Sequence, residues 1–513
     1  MTSTSPGWGL FEGLPLTFVR SVWWYFSVFL IFVLFFFAFF GGIVRVLGVG
    51  GFDQVRVALV SYLAVSVVLS VLFFNWRSSR SPSAILFLLG TLLFVLSSLI
   101  SDHLYAVSKF WLANLSYFLF ALLFVFVFFS SQSPQFRITL AQVVICAVFV
   151  FSLVYLSLYV ALLVAGGMQS FRGAIIGSGF ANINFLGQVA TWCIPLLSAA
   201  ASYEYRYRRQ LIRILSFSLM SGLWFIVLSV SIRGTILSIA LSSVFLFLVF
   251  GGRSRNHVYP ALLSFVLAFL LWVAVTQFVI DSKDLISNEF VVDPTGRVML
   301  WREAWGMSFV NFPWGMGGES WILHAPVDGN FISNLSHGHP HNTYFLFAAE
   351  YGWVSLLGLA LVFLAFALRI RYFKMTVKLS SKADSAKVML TLGFIYSCVS
   401  GLLHAGVSGN LLMPSSAIVG VTCLSSLWAL LEAESSGFIV SNNQVRGSNV
   451  LVPICMVLML STWAILWSRG VYDYWESMKL DGGRYSEGGV TYYPRFWLHG
   501  YAADLPASYQ SVH

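Results

Sequence analysis

Long apolar stretches alternate with short polar segments along almost the whole chain of 513 residues. A helix of about 18 to 20 apolar residues crosses a hydrocarbon core about 30 Å thick, and most of these stretches reach that length. The pattern predicts thirteen membrane-spanning helices, at residues 25–47, 55–75, 83–100, 110–130, 138–165, 185–203, 211–231, 234–250, 257–280, 343–368, 387–406, 413–431 and 450–467.

The composition supports a membrane fold. Hydrophobic residues make up 58% of the chain and charged residues only 10%, whereas an ordinary soluble domain has roughly 25% charged residues. We therefore expect an all-α, polytopic integral membrane protein with twelve or thirteen transmembrane helices. The first apolar stretch is too long for the core of a cleavable signal peptide, so we expect it to remain as the first span.

The basic residues indicate the orientation of the spans. In a soluble protein, the net charge of +9 would favour a nucleic-acid partner, but here the lysines and arginines cluster in short loops at residues 202–213, 251–257 and 369–387. Loops rich in these residues stay in the cytoplasm. This rule places the amino terminus in the cytoplasm and the carboxyl terminus on the outer side of the membrane, and we expect no nucleic-acid partner.

The longest polar segment divides the chain. We predict an N-terminal transmembrane bundle at residues 1–280, an outward-facing loop at 281–342, C-terminal transmembrane helices at 343–467 and an outward-facing tail at 468–513, and we refer to these two segments below as the periplasmic loop and tail because of the family resemblance given at the end of this section. The loop holds seven acidic and only three basic residues, which fits an outward position. Its tryptophans argue against disorder and favour short helices folded onto the membrane surface.

Three histidines alternate at the end of this loop in "LSHGHPHNTYFLFAAEYG", at His337, His339 and His341. One interpretation is structural, because Pro340 can begin a helix that His341 and Asn342 cap. A second is a metal site, because alternate residues of an extended segment share a face. A third is catalysis, with a neutral imidazole accepting a proton.

Arginines accompany the histidines on the predicted outer side, namely Arg172, Arg233, Arg297 and Arg302. Each of them can snorkel to the membrane interface or bind an anion. A histidine with several guanidinium groups suits a reaction in which a hydroxyl attacks and a diphosphate departs. The sequence has no Asp-X-Asp motif and no evident cluster of acids for Mg²⁺, so we expect arginine to take the place of a metal.

Two further polar features lie close to predicted spans. Asn184, before the span at 185–203, can bind substrate, or the asparagines there can satisfy a helix end. His404 lies midway along an apolar stretch, where we expect a hydrogen-bond partner inside the bundle and not a catalyst.

These motifs resemble the O-antigen ligase superfamily of bacterial membrane glycosyltransferases, which includes O-antigen and exopolysaccharide polymerases and pilin O-oligosaccharyltransferases. The ligase signature corresponds to His341, Asn342 and Gly352, with Ser355 where the signature has Gly, Thr or Tyr. "GRVMLWREAW" resembles the diphosphate-binding arginine of the periplasmic loop, at Arg297. The similarity covers roughly residues 167–358.

Two other elements of the family have counterparts in the chain. "SIRGTIL" resembles the Ser-Arg-Gly turn between spans and corresponds to a second functional arginine at Arg233, with Ile232 inserted. "FANINFLGQ" resembles the Asn-Pro-Asn element, with Ile183 in place of proline.

The resemblance implies a GT-C-type fold and the inverting transfer of an undecaprenyl-diphosphate-linked glycan to an acceptor hydroxyl at the periplasmic face of the inner membrane. It implies no nucleotide sugar, metal or other cofactor. His341, Arg233 and Arg297 are the expected catalytic residues; those expected to bind substrate are Arg172, Asn184, Asn342, Arg302, His339 and His337. We expect activity like that of an O-antigen ligase.

The acceptor stays open between the lipid A core, a growing glycan and a pilin serine. A transporter or flippase is the alternative from another class, and it should show ionisable groups or broken helices near the membrane midplane. A structural scaffold is a third class, but it has no use for histidine and arginine clustered on one side.

Overall fold

The computed structural model describes residues 16–41, 51–74, 81–105, 111–165, 175, 180, 182–206, 210–278, 294–324, 326–328, 338–379, 385–435 and 451–487. Its helices are α1 Leu16–Phe40, α2 Gly51–Phe73, α3 Pro82–Tyr105, α4 Trp111–Val127, α5 Pro134–Ala165, α6 Ile183–Arg206, α7 Gln210–Ser229, α8 Arg233–Phe250, α9 Arg255–Phe278, α10 Pro294–Val310, the single turn α11 Ser320–Leu323, α12 Thr343–Leu379, α13 Ser385–Ala405, α14 Pro414–Ser435 and α15 Leu451–Glu487.

The described part of the chain contains eleven stretches of helix that are long and apolar enough to cross a membrane. One of them, Arg233–Gln277, consists of two helices, α8 and α9, on either side of a 3₁₀ turn at Gly251–Ser254. Helix α4 is an additional, shorter apolar helix of 17 residues. Counted in this way, a helix lies at each of the thirteen predicted spans, and the prediction of an all-α polytopic membrane protein is confirmed.

Side-chain contacts give the direction of the central helices. His404 near the end of α13 contacts Thr191 in the first half of α6, and Gly393 of α13 packs against Ala199 further along α6. His404 also faces Gly234 at the start of α8, while Tyr396 of α13 contacts Ser243 in the second half of α8. Helix α13 is therefore antiparallel to both α6 and α8. At the other end of the bundle, Ser202 of α6 donates a hydrogen bond to the carbonyl of Asn256 of α9.

The two ends of the bundle differ in chemistry. We call the end that holds Arg233, His339 and His404 the histidine end, and the end that holds Arg253 and Arg369 the basic end. At the basic end, Arg253 donates to the carbonyl of Val377 at 3.3 Å. This separation agrees with the loops predicted from the distribution of lysine and arginine.

Buried charges at the basic end are paired. The guanidinium of Arg369 lies 3.5 Å from the centre of the Trp428 ring, and Arg137 forms an ion pair of 3.0 Å with Glu432. A buried charge is costly unless it is paired and hydrogen-bonded. These contacts therefore serve to hold α5, α12 and α14 together.

Helix α12 is interrupted at Gly352, which has φ 79° and ψ 179°. The loop between α10 and α11 fills the break. The N–H groups of Met316 and Gly317 donate to the carbonyls of Ala349 and Glu350 at 2.8 and 2.9 Å. On the other side of the break, the N–H of Trp353 donates to the carbonyl of Pro313 at 2.8 Å.

Helix α3 supplies further hydrogen bonds at this break. Ser97 and Ser101 donate to the carbonyls of Tyr351 and Glu350, each at 2.6 Å. Non-helical backbone at membrane depth is tolerated where protein satisfies its polar groups. The predicted periplasmic loop is thus attached to the bundle, and it contains the helices α10 and α11 that its composition predicts.

Candidate functional site

The segment before α12 carries the histidines into a tight turn. His341 has φ 54°, in the left-handed region, and its N–H donates to His339 Nδ1 at 3.0 Å. The two imidazole ring centres are 4.5 Å apart. Because Nδ1 of His339 accepts this hydrogen bond, the proton of a neutral His339 lies on Nε2.

Asn342 begins helix α12. Its Oδ1 accepts hydrogen bonds from the N–H groups of Tyr344 and Phe345, at 3.0 and 3.1 Å. This is the geometry of an N-cap, so the capping interpretation is confirmed for Asn342. Asn342 lies in the chain directly after His341, and the cap fixes the point at which the helix begins.

The connection between α13 and α14 packs beneath the histidines. His339 is buried, and a Cβ at Gly409 would lie 2.9 Å from its ring. Thr343 donates to the carbonyl of Ser408 at 2.8 Å. The histidine turn is therefore held against the bundle.

Arg233 is the first residue of α8 and is half-buried. The turn before it contains Ser231 at φ 56° and the buried Ile232, which packs against Gly187. Ile232 provides no side-chain cap for the helix. The N-terminal turn of α8 thus presents a guanidinium together with the positive end of the helix dipole.

Arg297 on α10 interacts with Arg233. Its side chain is exposed to solvent, yet partial burial lowers the pKa of the Arg297 guanidinium, and the cation of Arg233 lowers this pKa further. Arg297 also acts electrostatically on His404. Arg297 lies about one turn before Trp301, whose ring packs 6.0 Å from that of Phe345 in the first turn of α12. Helix α10 therefore carries Arg297 to the histidine end, where His404 faces Gly234, the residue after Arg233.

The remaining predicted site residues do not all join this group. Arg302 forms a long ion pair with Asp328, 3.8 Å apart, and its side chain is 66% exposed. Asn184 is exposed, and its backbone N–H donates to Oδ1 of Asn182 at 2.9 Å, so an asparagine does satisfy a helix end there. Arg172 and His337 lie outside the described residues.

A buried glutamate that the sequence did not single out organises the loop. Glu303 on α10 accepts hydrogen bonds from His324 Nε2 at 2.8 Å, from the N–H of Val327 at 2.7 Å and from that of Asp328 at 2.8 Å. Burial alone would raise the pKa of Glu303. The three hydrogen bonds and the charge of His324 outweigh burial, so the pKa of Glu303 lies below its ordinary value.

His404 lies in the last turn of α13 and not midway along an apolar helix as expected. It is almost fully buried, and its Nδ1 lies 2.7 Å from Thr191 Oγ1. The prediction of a hydrogen-bond partner inside the bundle is confirmed. The sequence did not predict that His404 lies near Arg297 and the first turn of α8, because no local sequence pattern links residues that are so far apart in the chain.

A second buried polar group lies at the break in α12. Asp102 of α3 accepts a hydrogen bond from the N–H of Gly318 at 2.6 Å, and Glu350 accepts one from the N–H of Trp321 at 3.2 Å. Glu319 is also buried. Among the residues that the structure describes, no group of three or more His, Cys, Asp or Glu is arranged to hold a metal ion.

The comparisons with known proteins bear on this site. No curated protein matches the chain. The sequence model of the O-antigen ligase family matches residues 215–363, a range that includes Arg233, Arg297, His339, His341 and Gly352. Residues 215–363 of the chain are therefore similar to the O-antigen ligase family, in agreement with the resemblance of the motifs.

Proposed function

We propose that the protein transfers a glycan from undecaprenyl diphosphate to an acceptor hydroxyl at the periplasmic face of the inner membrane, as an O-antigen ligase does. The family match supports glycosyltransferase activity on a lipid-linked glycan. In this proposal, residues 1–280 and 343–467 form the membrane scaffold, the loop 281–342 carries Arg297 to the site, and residues 468–513 follow as a periplasmic tail.

The proposal is carried by the packing of α10 against the first turn of α12, where the ring of Trp301 lies 6.0 Å from that of Phe345, together with the electrostatic effect of Arg233 on Arg297. Partial burial lowers the pKa of the Arg297 guanidinium, and repulsion by the Arg233 cation lowers this pKa further. A diphosphate bound between them removes this repulsion and receives charge-assisted hydrogen bonds from both guanidinium groups. Such stabilisation increases as the leaving diphosphate gains charge, which is the condition for catalysis.

The reaction needs a base as well as an anion site. In the proposed step, His341 takes the proton of the acceptor hydroxyl while the hydroxyl oxygen attacks the anomeric carbon. The bond from this carbon to the phosphate oxygen breaks, its electron pair leaves with undecaprenyl diphosphate, and the configuration inverts. Arginine supplies the positive charge for the leaving group, and the step uses no metal or cofactor.

The substrate-binding roles of Arg172, Asn184, Asn342, Arg302, His339 and His337 remain predictions. Of these, His339 has the strongest structural support, because it contacts the turn that carries His341. Asn342 has a capping role that explains its position without substrate.

The test is a reconstituted transfer assay. Purified protein is mixed with an undecaprenyl-diphosphate glycan and lipid A core; a new glycolipid and free undecaprenyl diphosphate should appear together. If neither forms, the same assay with a growing glycan or a pilin separates polymerase and protein oligosaccharyltransferase from ligase. Absence of transfer to all three acceptors contradicts the proposal.

A transporter or flippase is the second candidate, and one observation favours it. Helix α12 is broken nine residues after its start, roughly 13 Å along its axis, beside the buried Asp102 and Glu350. Broken helices with acidic groups are typical of transporters. Liposomes that contain the protein distinguish the two functions, because a transporter moves the lipid-linked glycan between leaflets without forming a new glycosidic bond.

A further inference from the structure

His404 links three helices directly behind the arginines. Its Nδ1 lies 2.7 Å from Thr191 Oγ1 on α6. The hydroxyl oxygens of Thr191 and of Thr235 on α8 are 3.1 Å apart. Both hydroxyl groups donate to the carbonyl of Gly187, at 2.8 and 2.9 Å. The four residues form one closed polar group in the interior.

One arrangement of the protons in this group defines a tautomer of His404. Each threonine hydroxyl has a single proton, and the carbonyl of Gly187 has two lone pairs. When both hydroxyl protons go to this carbonyl, Thr191 Oγ1 can only accept from the imidazole. The proton of a neutral His404 then lies on Nδ1, and Nε2 keeps its lone pair.

The other edge of the ring faces the first turn of α8. A Cβ at Gly234 would lie 2.6 Å from His404 Nε2, so the ring occupies the space that a side chain at this position would need. Gly234 follows Arg233 directly in the chain. A change in the position of the imidazole therefore changes the position of the turn that carries Arg233.

We propose that His404 is a positioning residue for Arg233: the neutral imidazole, held by Thr191 and packed against Gly234, fixes the N-terminal turn of α8 so that Arg233 and Arg297 grip a diphosphate together. The inference rests on the proposed function. It adds a residue on α13, outside the family match and outside the histidine motif, to the machinery that binds the donor.

The charge of His404 also matters for this role. Arg297 acts electrostatically on the imidazole, and Arg233 and Arg297 already repel each other. A permanent cation at position 404 would strengthen donor attraction but also push the two guanidinium groups apart. A neutral ring holds the turn without adding a third positive charge.

Binding of farnesyl diphosphate to the purified, full-length protein is the test, and transfer by the same preparation is measured beside it. His404→Ala should weaken farnesyl diphosphate binding by about 5- to 10-fold, as expected for loss of one buried hydrogen bond and its packing. His404→Asn, which keeps a donor near the Nδ1 position, should recover most of this loss. Gly234→Ala should weaken binding as His404→Ala does, because its methyl group displaces the ring.

Tyr396→Phe is the matched control. It removes the hydrogen bond of 2.6 Å between Tyr396 of α13 and Ser243 of α8. His404 and Arg233 belong to the same two helices, but Tyr396 lies about two turns of α13 away from His404. This variant should bind farnesyl diphosphate like the wild type. Equal weakening by Tyr396→Phe and His404→Ala would show a general packing effect and overturn the inference.

The outcomes separate the two proposals. If the wild type binds farnesyl diphosphate and transfers glycan while His404→Ala binds equally well, the role of His404 is wrong and the proposed function stands. If the wild type binds no diphosphate and transfers nothing, both proposals are wrong. In transfer kinetics, His404→Ala should raise the KM for the donor about 5- to 10-fold and change kcat by less than about 3-fold.

Discussion

His341 combines a candidate chemical role with a backbone that few residues adopt. The left-handed region costs a residue with a side chain about 1–2 kcal/mol, although histidine tolerates it better than most. Here the conformation is maintained by the hydrogen bond to His339 and by the cap that Asn342 provides for α12. Backbone strain of this kind is typical of sites where a side chain must be aimed.

Substitution of His341 by glycine separates chemistry from folding. Glycine adopts φ 54° without strain, so His341→Gly should melt at or above the temperature of the wild type. Without a base, the transfer rate should fall by about 10²-fold or more. Rates are compared at equal amounts of folded protein in detergent. Wild-type transfer by His341→Gly would exclude His341 as the base.

The loop elements α10 and α11 depend on Glu303. A carboxyl whose pKa is lowered on folding stabilises the folded state above its unfolded pKa, and this stability is lost as the pH falls through its folded pKa. His324 Nε2 and two backbone N–H groups contact Glu303, while Arg302 and Asp328 lie beside it.

We expect the melting temperature of the wild type to exceed that of Glu303→Gln at neutral pH. The difference should shrink as the pH falls below the ordinary pKa of glutamate, about 4.3. Thermal unfolding of both proteins at a series of pH values from 3 to 8 measures this difference in melting temperature. A difference that grows towards acid pH would contradict the lowered pKa.

The break in α12 leaves no room for a side chain at position 352. At Gly352, a Cβ would lie 2.1 Å from the carbonyl oxygen of Pro313 and 2.3 Å from the carbonyl carbon of Trp314. Its φ of 79° also disfavours any side chain. The segment around Pro313 therefore docks against α12 only because position 352 has no side chain.

Gly352→Ala should destabilise the protein by about 2 kcal/mol or more, because it combines a steric clash with an unfavourable backbone. Transfer should fall with it, since the loop that carries Arg297 loses its attachment. Gly470→Ala is the control: a Cβ at Gly470 on α15 meets no atom within 4 Å, and its melting temperature should equal or exceed that of the wild type, because alanine favours a helix more than glycine does. Equal stability of the two variants would contradict the docking.

Some of these elements follow from sequence and others do not, for a physical reason. The spans are predictable because the length of an apolar run is a local property, and the cap at Asn342 lies within one turn of helix. The contact of Asp102 with Gly318 joins residues 216 positions apart, and that of His404 with Thr191 joins residues 213 apart. Periodicity carries no information about such pairs.

At the scale of the whole molecule, the two ends of the bundle must lie on opposite sides of the membrane. Arg253 and Arg369 mark the basic end, and Arg233 and His339 mark the histidine end. The excess of lysine and arginine in the short loops of the basic end predicts that this end faces the cytoplasm. A lipid-linked donor displayed in the periplasm can reach Arg233 and Arg297 only in that orientation.

Reporter fusions test this orientation directly. Alkaline phosphatase fused after residue 285, in the long loop, should be active because it folds in the periplasm, and the same reporter fused after residue 382, in a basic loop, should be inactive. Green fluorescent protein at the two positions should give the reverse pattern, which controls for expression. Activity of alkaline phosphatase after residue 382 alone would place the histidines and arginines in the cytoplasm. A periplasmic transfer reaction would then be impossible at this site, whatever the variants at His341 or His404 do.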